Sequence, residues 1–313
     1  MTPRFTSRLR AAPPAVLALL ILALPAAAQL GPYRVVTKQA VFEASLYKRD
    51  KDILWVERKS SSGARSPQVG IAVGDIQFIH MPRPGLFEQV ERLLELPKPP
   101  AKPVQAAHSA LDKFILQTRS MRDIPGIHAN EAILLKGRLY AHGTLWREAI
   151  RQFENVVTYA AETEWAGTAR LLAGIAYAKS GGHLFAVEYL ADQPLPEDDE
   201  ALLSDMLYAL GSSYAALGNY DNALLAYLPL VVFYPYIQDN EPRALAATLE
   251  CYAELREWEP LYRAIQDIKR LYPNTPADEA ANEAIAKYEK DLREAGKFVD
   301  GTAVVAPTAG AAP

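Results

Sequence analysis

The chain has one cysteine, Cys251, in 313 residues, so no intrachain disulfide can form and the fold must rest on its packed core. Half of the residues are hydrophobic, which is ample for that. Cys251 stands beside Tyr252 in a helical pattern, the setting of a buried inert thiol and not of a nucleophile. Histidine is scarce too. His80, His108, His128, His142 and His183 show no metal-ligand spacing, and no second cysteine could join them. No phosphate-cradling glycine loop, dinucleotide fingerprint or Gly-x-Ser-x-Gly elbow occurs. The acidic run Glu197–Glu200 does not match a calcium loop and falls where a helix is expected to begin, a place that favours carboxylates. The expectation is a non-catalytic protein with no cofactor and no metal.

An excess of positive charge is also missing. Arg4, Arg8 and Arg10 precede the apolar run Ala15–Leu24, and Pro25 leads into Ala26, Ala27 and Ala28. That order reads as an export signal over residues 1–28 with cleavage after Ala28, which places the mature protein in the periplasm or otherwise outside the cytoplasm. The run is short for a bilayer span of about 20 residues, so no stable membrane anchor is expected after cleavage. From Gln29 onward 30 basic residues face 37 acidic ones, which argues against a nucleic-acid partner. The balance is uneven: residues 29–81 carry +3 and the remainder −10. Two modules are expected.

What is present is a repeat. Gly137 and Tyr140 recur as Gly174 and Tyr177, then as Gly211 and Tyr214, each step being 37 residues; 38 residues further on, Leu249 and Tyr252 take the two places. Twelve residues after the first position of each unit stand Ala149, Ala186, Ala223 and Leu261, and Phe153, Leu190, Tyr227 and Ile265 follow. Pro235 and Pro273 close the last two units. Gly and Tyr at i and i+3 share a helix face. A missing side chain lets a second helix approach, where the small alanine is expected to meet it. Aromatic side chains then fill the space between hairpins. Gly181 and Gly218 break the chain between paired helices, as Gly143 nearly does. Pro229 falls within a second helix and predicts a kink.

This small–Tyr–small–aromatic–Pro order resembles the tetratricopeptide repeat, over roughly residues 130–275. The resemblance implies a mainly α fold, a helical-hairpin solenoid over residues 127–295. At the end of that span Asn274–Gly296 reads as a polar capping helix, begun by Thr275 and Pro276 with Asp278 and Glu279 in its first turn. Residues 296–313 are small and Pro-rich and are expected to be disordered.

Ahead of the repeats, Ala40–Tyr47, Asp52–Lys59, Pro67–Val73 and Asp75–Met81 are short β-rich segments. They predict a four- or five-strand module over residues 33–82, a small barrel of the SH3 or Sm-like kind. The apolar run Ile53–Val56 suggests a strand buried on both faces. Lys48, Arg49 and Lys51 interleave with Asp50 and Asp52 and read as a solvated turn. Residues 83–126 should link the modules through helices at 83–96 and 104–121, with Pro97–Pro103 as an extended spacer. Trp146, Trp165 and Trp258 are expected in hairpin packing.

The family's geometry puts one face of each first helix on a concave surface. Carried over, those positions are Glu131, Leu134, Arg138 and His142 in the first unit, and Leu171, Ile175 and Lys179 in the second. The third offers Asp205, Tyr208 and Ser212, and the fourth Arg243, Glu250 and Glu254. The Lys/Asn clamp that some relatives use on a peptide's terminal carboxylate has no counterpart. With acid at the far end, the resemblance implies a peptide or partner domain of some basic character, held by an envelope scaffold or adaptor. Two rivals stand beside it: an envelope enzyme with an unmotifed site between β module and solenoid, and a polyanion binder acting through the basic β module.

Overall fold

The computed structural model describes residues 30–58, 68–196, 198–235 and 240–297. The expected export signal, the expected Ser/Gly turn before the fourth strand and nearly all of the tail lie outside them. Among the described residues the chain is mainly helical, with a small antiparallel sheet of five strands at its N-terminal end. No helix there is long and apolar enough to cross a membrane.

The strands are β1 (Leu30–Thr37), β2 (Val41–Asp50), β3 (Ile53–Arg58), β4 (Gln68–Ala72) and β5 (Ile76–His80), a 3-10 turn at Val73–Asp75 joining the last two. Their order in the sheet is β4-β3-β2-β1-β5. β1, absent from the expected segments, is a central strand that pairs with both β2 and β5. β3 is not buried on both faces as its apolar run suggested. Leu54 and Val56 are fully buried, while Ile53 is exposed. The outward Trp55 lies opposite Gly70, so the run still obeys the period of two that a one-sided sheet imposes.

Among the described residues eleven α-helices follow. α1 (Gly85–Leu94) and α2 (Ala101–Thr118) come first. The extended spacer ends at Pro100, because α2 already includes Pro103 in its first turn, where no intrahelical donor is needed. The buried face of the sheet, Phe87 of α1 and Leu111 and Phe114 of α2 share one apolar cluster. That cluster continues into α3 (Ala129–His142) through Ala132, Leu135 and Leu139. Arg49, read as part of a solvated turn, instead forms an ion pair with Asp123 and donates to the Ser120 carbonyl at 3.0 Å, tying β2 to the end of α2.

Four hairpins make up the rest: α3 with α4 (Trp146–Tyr159), α5 (Trp165–Lys179) with α6 (His183–Leu190), α7 (Glu200–Ala216) with α8 (Tyr220–Val232), and α9 (Asn240–Glu254) with α10 (Trp258–Leu271). α11 (Pro276–Glu294) packs on α9 and α10. It begins as expected: the Thr275 hydroxyl accepts from the Asp278 amide, and Asp278 pairs with Lys269 of α10 at 2.8 Å. α8 runs on through Pro229 to Val232; the described break in helical geometry lies in α11, at Tyr288.

Each hairpin turns in the same way. The residue after the C-cap of the first helix has positive φ at Thr144, Gly181, Gly218 and Arg256. The next amide donates back to the repeat tyrosine carbonyl: Leu145 to Tyr140, Gly182 to Tyr177, Asn219 to Tyr214 and Glu257 to Tyr252, at 2.8–2.9 Å. The positive-φ residue itself donates to Ala141, Ala178, Ala215 or Ala253. This pair of bonds is the left-handed helix cap. In the first unit Thr144, not Gly143, supplies the left-handed residue.

The repeat glycines face inward. A methyl group placed on Gly137, Gly174 or Gly211 would lie 2.4, 2.5 or 2.6 Å from Phe153, Leu190 or Tyr227. The closest partner of each glycine is therefore the large residue sixteen positions on, not the alanine expected there. Ala149, Ala186 and Ala223 are fully buried beside these contacts.

Candidate functional site

The first helices α3, α5 and α7 stand side by side, and between them, with the end of α1 on one flank, opens a groove of about 550 Å³. Its floor is mostly apolar, with Leu134, Leu135, Leu172, Ile175 and Leu202 on it, and Trp146 and Trp165 reach it from the helix starts of α4 and α5.

Of the residues expected on the concave face, Glu131, Leu134, Arg138, His142, Ile175, Lys179 and Asp205 line this groove together. The other six fall elsewhere. Leu171 is buried against Leu190, Met206 and Ala209, in the seam between the second and third hairpins. Tyr208 is half-buried beneath Arg243, whose guanidinium lies 3.4 Å from the ring centre. The Ser212 hydroxyl donates to the Ala209 carbonyl at 3.0 Å within its own helix. Glu250 and Glu254 are exposed on α9, where Tyr288 of α11 donates to Glu254 at 3.4 Å.

Sequence reasoning passed over Thr168, Leu172, Trp146 and Trp165. Thr168 carried a signal, since it stands 37 residues from both Glu131 and Asp205, and all three line the groove. The tryptophans do pack on the α3–α5 core as expected, and each also turns part of its ring to the groove.

The charges here differ in what holds them. Arg83 donates to Glu131 at 2.7 Å and to Glu91 at 3.2 Å. His128 lies between Glu131 (2.9 Å) and the Met81 carbonyl (3.0 Å). Burial pushes the Glu131 carboxyl up, but the bonds from His128 and Arg83 outweigh it and leave it below the usual carboxylate range. Glu131 thus fastens the β module to α3 as well as lining the groove. Asp199 is occupied as the cap of α7, accepting from the Leu202 amide at 3.0 Å. Among the described residues Asp205 has no such partner. Desolvation raises its pKa, against the pull of Lys179 and Arg243. Desolvation, with Arg243 nearby, lowers that of Lys179.

No family model matches the sequence, and no curated protein matches it. Among the described residues no group of three or more His, Cys, Asp or Glu side chains could hold a metal ion. The thiol of Cys251 is fully buried, and burial pushes it up to about 11. An apolar floor with a few polar groups at its rim is the kind of surface that can sequester apolar side chains.

Proposed function

We propose that the protein is a non-catalytic scaffold or adaptor of the bacterial cell envelope whose α3–α5–α7 groove holds a peptide or a partner domain. The observation that carries this reading is the groove itself, where half-buried tryptophans and aliphatic side chains lie open beside charged groups. Exposed apolar surface rimmed by polar residues marks interaction sites. The reading takes the four hairpins as a tetratricopeptide-like solenoid. In support stand the common turn at Thr144, Gly181, Gly218 and Arg256 and the glycine contacts in register with it. It takes the N-terminal sheet as an SH3/Sm-like barrel, because β1 lies between β2 and β5 and a single 3-10 turn joins β4 to β5. Export to the envelope rests on residues 1–28 alone.

The test is site-specific photocrosslinking in cells. A crosslinker at Ile175, in the groove, is expected to trap a defined partner that one at the exposed Leu225 of α8 does not. Equal trapping at both positions, or at neither, would remove the groove from the mechanism.

A further inference from the structure

The acidic end of the concave surface, from which a basic ligand was expected, is exposed but already faces groups of α11. Glu254 and Glu250 face Tyr288 and Lys287 of α11, whose lysine feels both charges. Within the groove Glu91 and Glu131 are held by Arg83, and Asp199 caps α7. Some cations in and beside the groove differ from these. Among the described residues Arg138, Lys179 and Arg243 have neither a carboxylate within ion-pair distance nor a hydrogen-bond acceptor.

Two of them converge. The Arg243 guanidinium is stacked 3.4 Å over Tyr208, and the Lys179 ammonium stands 6.0 Å from the centre of the same ring. Tyr227 backs that ring at 5.4 Å. A guanidinium fixed on an aromatic face keeps its N–H edge free for a planar carboxylate. Asp205 is the nearby acid. It pairs with neither cation and offsets only part of their charge. The chain beyond Met81 nevertheless carries −10, a field that repels polyanions from the helical region as a whole. A small cationic spot in an acidic surface, next to an apolar floor, selects one carboxylate set among apolar residues.

Resting on the groove as the binding face, we propose that its ligand is a peptide segment in which an internal aspartate or glutamate docks on Lys179 at the groove wall and on Arg243 just beyond it, while flanking apolar side chains lie on Leu172, Ile175 and Trp146.

The experiment screens the full chain against an array of random dodecapeptides blocked at both ends. Bound peptides should be enriched in Asp or Glu next to large apolar residues, and changing that acid to its amide should weaken binding about tenfold. The double variant Lys179→Glu, Arg243→Glu should reverse the preference to Lys and Arg. Should that variant not fold, Tyr208→Leu removes the stacking platform and should lose the acidic preference while keeping the apolar one. Selection without acidic enrichment, or enrichment that survives these variants, overturns the inference and leaves the groove reading standing. Displacement of bound peptide by heparin at 150 mM salt, but not by a free acidic peptide, points to a polyanion site and overturns it too. If no peptide is selected, or Ile175→Glu leaves selection unchanged, the groove reading itself falls and takes this inference with it.

Discussion

Gly137 of α3 lies directly under the ring of Phe153 in α4: a methyl group on the glycine would be 2.4 Å from Cε1 of that ring and 2.8 Å from Cδ1. Such a distance is well inside van der Waals contact, and Phe153 is almost wholly buried, so the ring has little room to retreat. The repeat glycine therefore sets how close the two helices of a hairpin come. Gly137→Ala is expected to destabilise the chain by about 1–3 kcal/mol through overpacking. Phe153→Leu, which trims the clashing ring, should recover part of that loss when combined with it, so the two effects will not add. Urea unfolding of the two single variants and the double variant checks this. Strict additivity would show that the contact does not govern the spacing.

The hairpin turns make a second expectation. Thr144 and Arg256 both have φ of 59° and occupy the places held by Gly181 and Gly218 in the middle units. A β-branched residue in the left-handed region is strained, at a cost of roughly 1–2 kcal/mol, partly offset by the extra backbone freedom that glycine loses on folding. Thr144→Gly should therefore stabilise the chain by about 0.5–1 kcal/mol. Gly218→Val should destabilise it by more than that. Thermal or urea unfolding would read both; a destabilised Thr144→Gly would mean that the threonine side chain holds the turn by some other contact.

How far the fold could be read from the residues depended on what each feature leaves in the sequence. The 37-residue step was visible because close approach permits only glycine at Gly137, Gly174 and Gly211, and the capping helix because Thr275, Pro276 and Asp278 are the residues a helix start prefers. β1 was missed because Gly31 and Pro32 interrupt it and the short stretch that remains, Tyr33 to Thr37, does not alternate cleanly, Val35 and Val36 being adjacent. The left-handed residues at Thr144 and Arg256 have no compositional mark at all. Their conformation is imposed by the helix cap and by the hairpin it closes. For the groove, helical period named the right face but not the right neighbour. Leu171 was expected to be open and is covered by the third hairpin, whereas Thr168 and Leu172 on the same helix remain open. Which of adjacent positions is covered depends on how the hairpins stack, a tertiary fact that no window of sequence contains. The same holds for Arg49, whose partner lies 74 residues away.

Cys251 offers a simple check on the α8–α9 packing. It is fully buried among Ala223, Leu224 and Tyr227, and its thiol is shifted up to about 11 by that burial. At pH 8 almost none of it is thiolate, and the sulfur is fully buried in the folded chain. Labelling by a bulky disulfide reagent is expected to be stoichiometric in urea and at least a hundredfold slower in buffer. Fast labelling in buffer would mean that α8 and α9 separate readily.

The last prediction concerns pH and the junction between sheet and helices. His128 is placed between two acceptors, the Glu131 carboxylate at 2.9 Å and the Met81 carbonyl at 3.0 Å. A neutral imidazole has one N–H and can satisfy only one of them; the imidazolium satisfies both. The bond to Glu131 is the largest influence and raises the pKa of His128 above its ordinary value of 6.5, with burial opposing and the Met81 carbonyl assisting. Between the ordinary and the raised value the folded chain keeps a proton that the unfolded chain has released, so stability falls there as pH rises. The contribution is complete below about 6.5 and gone above the raised value. His108, whose pKa burial lowers, acts in the opposite sense below 6.5, so wild type alone would give a mixed profile. The comparison that isolates the junction is wild type against His128→Gln, in which His108 is common to both. The stability difference between them should be greatest at pH 5.5–6 and shrink steadily towards pH 8.5. A difference that is flat across this range would show that His128 holds Met81 and Glu131 as a neutral ring, and that the junction is insensitive to its proton.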